Sequence, residues 1–132
     1  MNLFGMLVSY GVTSAVLSNC GTQHSLATVY GYGIDPPLPK ANQNWTFWVD
    51  YTLHEDVYDG IVIYEANLNG LPYYQKSDLC TETECPIFAG DHNETSRSTL
   101  FPEFIGKLIT TVTWEDNHGN EILCLQGTFK TI

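Results

Sequence analysis

Four cysteines and four histidines, set among fifteen carboxylates, are the residues of this chain that could do chemistry. His24, His54, His92 and His118 all fall near predicted turns or strand ends. His54-Glu55-Asp56 and Asp116-x-His118 contain metal-ligand residue types, yet exposed loops of an acidic protein commonly carry such groups without an ion. Asp56 and Asp59 flank Val57-Tyr58 and read as a solvated acidic turn. No serine or cysteine is placed by sequence beside a base that would activate it. Nothing selects a carboxylate pair for acid–base work, and no glycine-rich loop is suited to phosphate. The chain is read as no enzyme, with no catalytic residue, no metal and no cofactor.

The cysteines serve a different chemistry. Cys20, Cys80, Cys85 and Cys124 allow three complete pairings. Four residues separate the close pair, which suits neither a zinc knuckle nor a redox motif with two intervening residues. Two disulfides are the simpler account, with Cys80–Cys85 stapling a short loop and Cys20–Cys124 tying the first strand to the last. In the chain-entropy view, closing a loop of about 100 residues is worth about 4.7 kcal/mol. Asn44-Trp45-Thr46 and Asn93-Glu94-Thr95 are glycosylation acceptors, and they agree with an oxidising, secretory environment.

These groups must be carried by one small domain. The chain has 132 residues, 43% of them hydrophobic and 13% aromatic, which is a folding composition and not a disordered one. The net charge of -10 and the scatter of Lys40, Lys76, Arg97, Lys107 and Lys130 argue against nucleic acid. Residues 1–34 carry no Asp, Glu, Lys or Arg. The apolar stretch 3–17 has the length of a secretory leader and is too short to span a bilayer as a helix. Thr13-Ser14-Ala15 offers small residues for cleavage, although no positive charge precedes the stretch. Residues 1–18 are therefore either a signal peptide or a retained N-terminal strand, with the domain proper over 19–132.

Strand patterns dominate that domain. In 44–53, Trp45, Phe47, Val49, Tyr51 and Leu53 alternate with polar residues, Trp48 being the exception. In 25–33, Leu26, Thr28, Tyr30 and Tyr32 alternate, with two late glycines weakening the pattern. The proline-rich segment 34–39 reads as an extended connection. In 60–68, Val62, Tyr64, Ala66 and Leu68 share a face, and Asn69-Gly70 supplies a tight turn. Leu71-Pro72-Tyr73-Tyr74 follows as connection, and 90–99 is polar and expected to be exposed. Leu108, Thr110, Val112 and Trp114 alternate through 105–115, and 122–129 returns after a glycine-containing hairpin. The expected fold is all-β: an antiparallel sandwich of about seven strands. Its inner faces either meet as an ordinary core or are splayed around an apolar cavity, and periodicity leaves both open.

Several short motifs resemble a known family. They are Cys20-Gly21, Asp35-Pro36-Pro37, Asn44-Trp45-Thr46-Phe47, Asn69-Gly70-Leu71-Pro72, Asp78-Leu79-Cys80, Cys85-Pro86-Ile87 and Ala89-Gly90, with Trp114 and Cys124 beyond them. Together, over 18–132, they resemble the ML lipid-recognition family, which includes sterol carriers and phosphatidylglycerol/phosphatidylinositol transfer proteins. The resemblance implies an immunoglobulin-like sandwich with a lipid cavity between its sheets, and the disulfides Cys20–Cys124 and Cys80–Cys85. It implies a non-enzymatic carrier of one phospholipid or sterol, secreted or resident in an endo-lysosomal or vacuolar lumen. Residues 21–79 lack the additional disulfide of the sterol-carrier branch, which leaves phospholipid at least as well supported as sterol.

On that reading Val62, Tyr64, Leu68, Leu108, Val112 and Trp114 face inward from one side, and Phe47, Val49 and Tyr51 form the opposite wall. Tyr73, Tyr74, Phe101 and Phe104 lie in or near connections and are candidates for the entrance or for membrane contact. A membrane or membrane-bound receptor is a transient partner. A protein partner enters if residues 1–18 are retained, and a structural or recognition sandwich without lipid transfer is the alternative.

Overall fold

Residues 11–131 are described by the computed structural model; the first ten residues of the apolar N-terminal stretch, and residue 132, lie outside them. Nine strands form two antiparallel sheets: β1 Val12–Asn19, β2 Ala27–Asp35, β3 Asn44–Leu53, β4 Gly60–Leu68, β5 Leu71–Asp78, β6 Gly90–Thr95, β7 Thr99–Leu100, β8 Lys107–Asp116 and β9 Glu121–Thr131. Among the described residues one short helix, α1, covers Leu79–Glu82. The larger sheet runs β1-β9-β8-β4-β5, and the smaller runs β2-β3-β6 with β7 added to β3. The all-β sandwich is as the alternation predicts.

Four differences from the sequence pattern have physical reasons. The polar segment 90–99 is not wholly loop: Gly90–Thr95 pairs with β3 along Trp48–Leu53, because the central strand of a sheet needs backbone partners on both sides. Tyr73 and Tyr74 lie on edge strand β5 and not in a connection. The count among the described residues is nine strands, where about seven were expected. In β2, Leu26, Thr28, Tyr30 and Tyr32 do not share a face: a bulge between Val29 and Gly31 changes the phase. Ala27 is buried and Tyr30 is exposed.

The same strand explains the two glycines and the misfit tryptophan. Gly33 sits opposite Trp48, and a Cβ at Gly33 would lie 2.7 Å from the indole nitrogen of Trp48. The ring therefore lies across Gly31 and Gly33 on the outer face, where it covers backbone that has no side chain of its own.

Two disulfides, Cys20–Cys124 and Cys80–Cys85, tie the end of β1 to β9 and the two ends of the segment around α1. Both match the expected pairing. Asp78 caps α1 by accepting from the Cys80 N–H at 2.9 Å.

At one end of the sandwich Asn69 organises two connections. With Gly70 it turns β4 into β5, both residues having positive φ (51° and 93°). Its side chain accepts from the Lys107 N–H at 2.8 Å and donates to the Ile105 carbonyl at 2.7 Å. Gly106, at φ 112°, lets this side chain approach; a Cβ there would fall 2.1 Å from Asn69 Oδ1. Gly106→Ala is expected to destabilise the fold by about 1–3 kcal/mol, the range for a residue forced into a sparsely populated backbone region. Urea unfolding should show a lower midpoint with an unchanged slope.

Candidate functional site

The interior is divided. One core cluster joins Ala27, Val49, Tyr51, Leu53, Val57, Val62, Leu79, Ile87, Trp114, Ile122 and Leu123. A second, toward the Asn69 end, joins Val12, Phe101, Phe104, Leu108 and Phe129. The register of the larger sheet shows what separates them. Ala66 pairs with Thr110, Thr110 with Gly127, and Gly127 with Leu17. Val62, Leu108 and Phe129 are buried in the cores, and residues two apart share a face, so Ala66, Thr110 and Gly127 point inward. Three adjacent strands thus present small inward residues in one line, a shallow trough across the sheet that the Phe129 ring and Leu17 partly fill, 2.9 and 3.2 Å from where a Cβ of Gly127 would lie.

An apolar cleft lies over the Thr110 and Gly127 part of that line, while Ala66 packs against the second core. The cleft lies between the sheets and is lined by Leu17, Tyr32, Ile34, Trp45, Phe47, Thr110, Val112, Leu125, Gly127 and Phe129, with Ser18, Gly33 and Gln126 at its margin. Counting its open mouth, it encloses about 390 Å³. The room left for water-sized occupants is only about 40 Å³. Pockets that take organic ligands of drug size run to about 300–1,000 Å³, so the cleft as it stands holds a few waters and no lipid tail. Trp45 bounds it toward the second core: its ring packs edge-on against Phe101 at 5.4 Å and Phe129 at 6.2 Å.

Of the residues singled out by sequence, Phe47 and Val112 line this cleft. Val49, Tyr51, Val62 and Trp114 belong to the first core, with Tyr64 packed against it. Leu108 belongs to the second, with Leu68 beside it. Phe101 and Phe104, 2% and 7% exposed, belong to the connection from β7 to β8 but turn inward into the second core, and so do not present themselves to a membrane. Tyr73 and Tyr74 are exposed on β5. The sequence pattern did not single out Leu17, Tyr32, Ile34, Leu125, Gly127 and Phe129 as a cavity wall, since only the cross-strand register brings them together.

Two phenols are withdrawn from solvent, Tyr51 fully and Tyr64 in part. The Tyr64 hydroxyl donates to Glu82 Oε1 at 2.6 Å, and Glu82 meets Arg97 at 3.7 Å, which fastens β4 to α1 and to the chain beyond β6. Burial, then the hydrogen bond and charge of Glu82, push the Tyr64 phenol well above its ordinary range. Burial first, with the Glu94 charge added, does the same for Tyr51, whose hydroxyl has no partner. Both are neutral at any working pH.

The groups with metal-ligand character are occupied with loop structure. His54 Nε2 meets Thr28 Oγ1 at 2.6 Å, and Asp56 accepts from the Ala89 N–H at 2.8 Å. His92 stacks on Tyr51 at 5.3 Å and meets the Phe88 carbonyl at 2.6 Å. Asp59, Asp78 and Cys80 converge within 4.8 Å, but the Cys80 sulfur is committed to its disulfide. The acceptor side chains Asn44 and Asn93 are both exposed, Asn44 at the start of β3 and Asn93 on β6.

Asp116 closes the β8–β9 hairpin by accepting from the backbone N–H groups of His118 at 2.9 Å and Asn120 at 2.8 Å. Desolvation pushes this carboxyl up, but the hydrogen bonds from Asn120 and His118 outweigh it, and its pKa lies below the ordinary 3.8. A depressed carboxylate contributes stability that is present above the ordinary value and lost as pH falls through the folded one. Urea unfolding of the parent should therefore weaken on acidification below about pH 4, and Asp116→Asn should flatten that part of the profile.

The ML domain profile matches residues 14–131. A Dictyostelium discoideum protein named for phosphatidylglycerol/phosphatidylinositol transfer is 29% identical over 125 residues, covering 90% of this chain and 87% of its own. Among solved structures, a Niemann-Pick type C2 protein from the Japanese carpenter ant superposes with a TM-score of 0.66 at 14% identity, covering 86% of this chain and 96% of its own. Chicken MD-1, solved in complex with lipid IVa, gives a TM-score of 0.66 at 11% identity, covering 89% and 88%.

Proposed function

The chain belongs to the ML domain family, and on that footing we propose that it binds a single lipid, a phospholipid or a sterol, between its sheets and passes it to a membrane or a partner. ML domains are non-catalytic, and the chain is no enzyme. The observation that carries the lipid reading is the apolar cleft at Thr110 and Gly127, lined from both sheets between two separately packed cores. The relatives support it by what their names declare, a phospholipid-transfer protein and a structure holding a lipid.

The physics of such a carrier is differential burial. A chain of about 16 carbons gains roughly 13 kcal/mol on leaving water, at about 0.8 kcal/mol per CH₂. Leaving a bilayer gains far less, because the chain is already in hydrocarbon. The protein thus lowers the barrier to crossing water while making and breaking no bond. Loading requires the sheets to part along the trough, and the incoming chain then covers the apolar walls that opening exposes. The polar headgroup stays at the mouth.

A second reading has its own observation. The closed cleft, with about 40 Å³ of free room, is also what a filled sandwich serving only as a structural or recognition module would have. The disulfides and the exposed acceptors Asn44 and Asn93 suit a secreted or luminal protein on either reading. Leu17 lines the cleft and the family match begins at residue 14, so we include β1 in the lipid-binding unit, with any leader ending ahead of it.

Native mass spectrometry of protein purified from its own source, followed by lipid extraction, should recover a phospholipid or sterol at one per chain. Thr110→Phe, which fills the trough, should weaken uptake of a fluorescent fatty acid at least about tenfold, since a few excluded CH₂ groups suffice for that. Thr110→Val should leave uptake near the parent level. Protein that is always empty and that exchanges neither lipid class supports the second reading instead.

A further inference from the structure

We propose that the outer face of the smaller sheet is a seat for a glycan on Asn93, whose first sugars lie back over β3 against Tyr30 instead of standing out into solvent. This rests on the secreted or luminal reading for the presence of the sugar, and on separate observations for its place. Along β3, Val49, Tyr51 and Leu53 are buried, so Trp48, Asp50 and Thr52 point outward. Direct cross-strand partners share a face, which puts Asn93 beside Asp50 and Asp91 beside Thr52 on that outer side. Tyr30 is the extra residue of the β2 bulge, between Val29 and Gly31, and it is 69% exposed. Together Tyr30, Asp50, Tyr51, Asp91, His92 and Asn93 bound an open depression of about 500 Å³, with far more free room than the cleft between the sheets.

The chemistry of that depression suits a neutral sugar. Its polar groups hold one another in place: the Asn93 amide donates to Asp50 Oδ1, and the Thr52 hydroxyl donates to Asp91 Oδ1. Each carboxylate keeps a second oxygen for hydroxyl or acetamido N–H donors, and hydrogen bonds to a charged acceptor are the strong ones. Strands β2, β3 and β6 contain no Lys or Arg. Two carboxylates with no cation on their face favour a ligand that donates and carries no negative charge, so an anionic headgroup is repelled there. The Tyr30 ring is the apolar wall against which the C–H face of a pyranose packs.

Asn93 itself brings the occupant. It begins the acceptor sequence Asn93-Glu94-Thr95. The atom that carries a glycan, Nδ2, is turned toward Asp50, over the sheet and not off its β6 edge. Attachment forms a bond from Nδ2 to C1 of the first N-acetylglucosamine as the C1–O bond to a polyprenyl diphosphate donor breaks. Nδ2 gives up one proton, the diphosphate leaves with the electron pair, and one N–H remains for Asp50. Asn93, Asp50 and Tyr30 lie on three successive strands, so Tyr30 stands about 10 Å from Asn93, two strand spacings across the sheet and within reach of two sugars. The tether makes the encounter intramolecular, at an effective concentration in the millimolar range, so weak sugar contacts suffice. Asn44 differs: it opens β3 opposite Leu100 of the two-residue strand β7 and does not line this depression. Strand β6 also closes its sheet with neither Pro nor Lys to discourage pairing with another chain, and a sugar rooted on it gives that protection.

The test starts with glycopeptide mapping of the full chain purified from its own source, where Asn93 is expected to be occupied. Native protein is then treated with a peptide N-glycosidase. Release at Asn93 should be at least about tenfold slower in the parent than in Tyr30→Ser, a factor that one or two net hydrogen bonds and a ring contact supply. Release at Asn44 should be the same in both. A double-mutant cycle in urea gives the second readout. Thr95→Val abolishes the acceptor, keeps the Asn93 amide for Asp50, and should lower the folding equilibrium constant about fivefold, the worth of one net hydrogen bond. Tyr30→Ser should cost a similar factor in the glycosylated chain and nothing in the Thr95→Val chain. Additive effects in the cycle overturn the seat, as does release at Asn93 that is indifferent to Tyr30→Ser. A chain occupied at Asn44 and bare at Asn93 overturns it while leaving the luminal reading standing. A chain bare at both overturns it together with the support that the acceptors lend to that reading.

Discussion

Side chains alternate strictly along a strand, so one register of β4, β8, β9 and β1 decides which residues meet inside the sandwich. In the register observed, Ala66, Thr110, Gly127 and Leu17 fall in line while Leu68, Leu108 and Phe129 form the next row. A slip of one residue would turn the whole inner set outward. The sheet holds its register at both ends. Asn69 and Gly70 close β4 onto β5, and Asp116 closes β8 onto β9. Cys20–Cys124 fixes where β1 lies on β9. Turn chemistry at the surface thus determines the interior, and the seam between the two cores follows from it.

The two long edges of the sandwich differ in how they are held. At the β5 edge, α1 is stapled by Cys80–Cys85, and the Tyr64–Glu82–Arg97 chain joins it to β4 and to the connection beyond β6. At the β1 edge no disulfide crosses between the sheets; ahead of β2 the Leu26 N–H donates to the Glu121 carbonyl at 2.9 Å and the Ser25 hydroxyl to Glu121 Oε2 at 2.8 Å, and beyond them Leu17, Tyr32 and Ile34 line the cleft. Apolar contact is non-directional and is regained with any hydrocarbon, whereas a charged hydrogen-bonded chain is tied to particular partners. Directional bonds on the β1 side are thus confined to the start of β2, and the cleft beyond it is bounded by apolar side chains.

Much of this was legible in the sequence, and the failures share a cause. Strands β3, β4, β8 and β9 follow from alternation over eight residues or more, and Asn69-Gly70 announces its turn. The cysteine pairing follows from spacing together with the motifs of the family. What periodicity cannot show is which neighbour a residue meets across the sheet. Gly127 and Thr110 are unremarkable along their own strands and form a trough only when paired. Strand β6 is polar on its exposed positions and is a strand because β3 requires a partner. Tyr32 and Ile34 reach the interior because of a bulge that no local pattern announces. Phe101 and Phe104 have the look of connection residues, but the chain folds them under and Asn69 pins the segment over them.

The separation of charge along the strands has an electrostatic consequence for a molecule free to tumble. Three of the five cations, Lys40, Lys107 and Lys130, lie at the Asn69 pole and ten of the fifteen carboxylates lie at the other, in 54–60, 78–91 and 115–121, which gives the protein a permanent dipole moment along its strands. Near any charged boundary such a body experiences a torque within the screening distance and before contact. Rotation is thereby biased ahead of collision, and the fraction of encounters that arrive pole-first exceeds what random orientation would deliver.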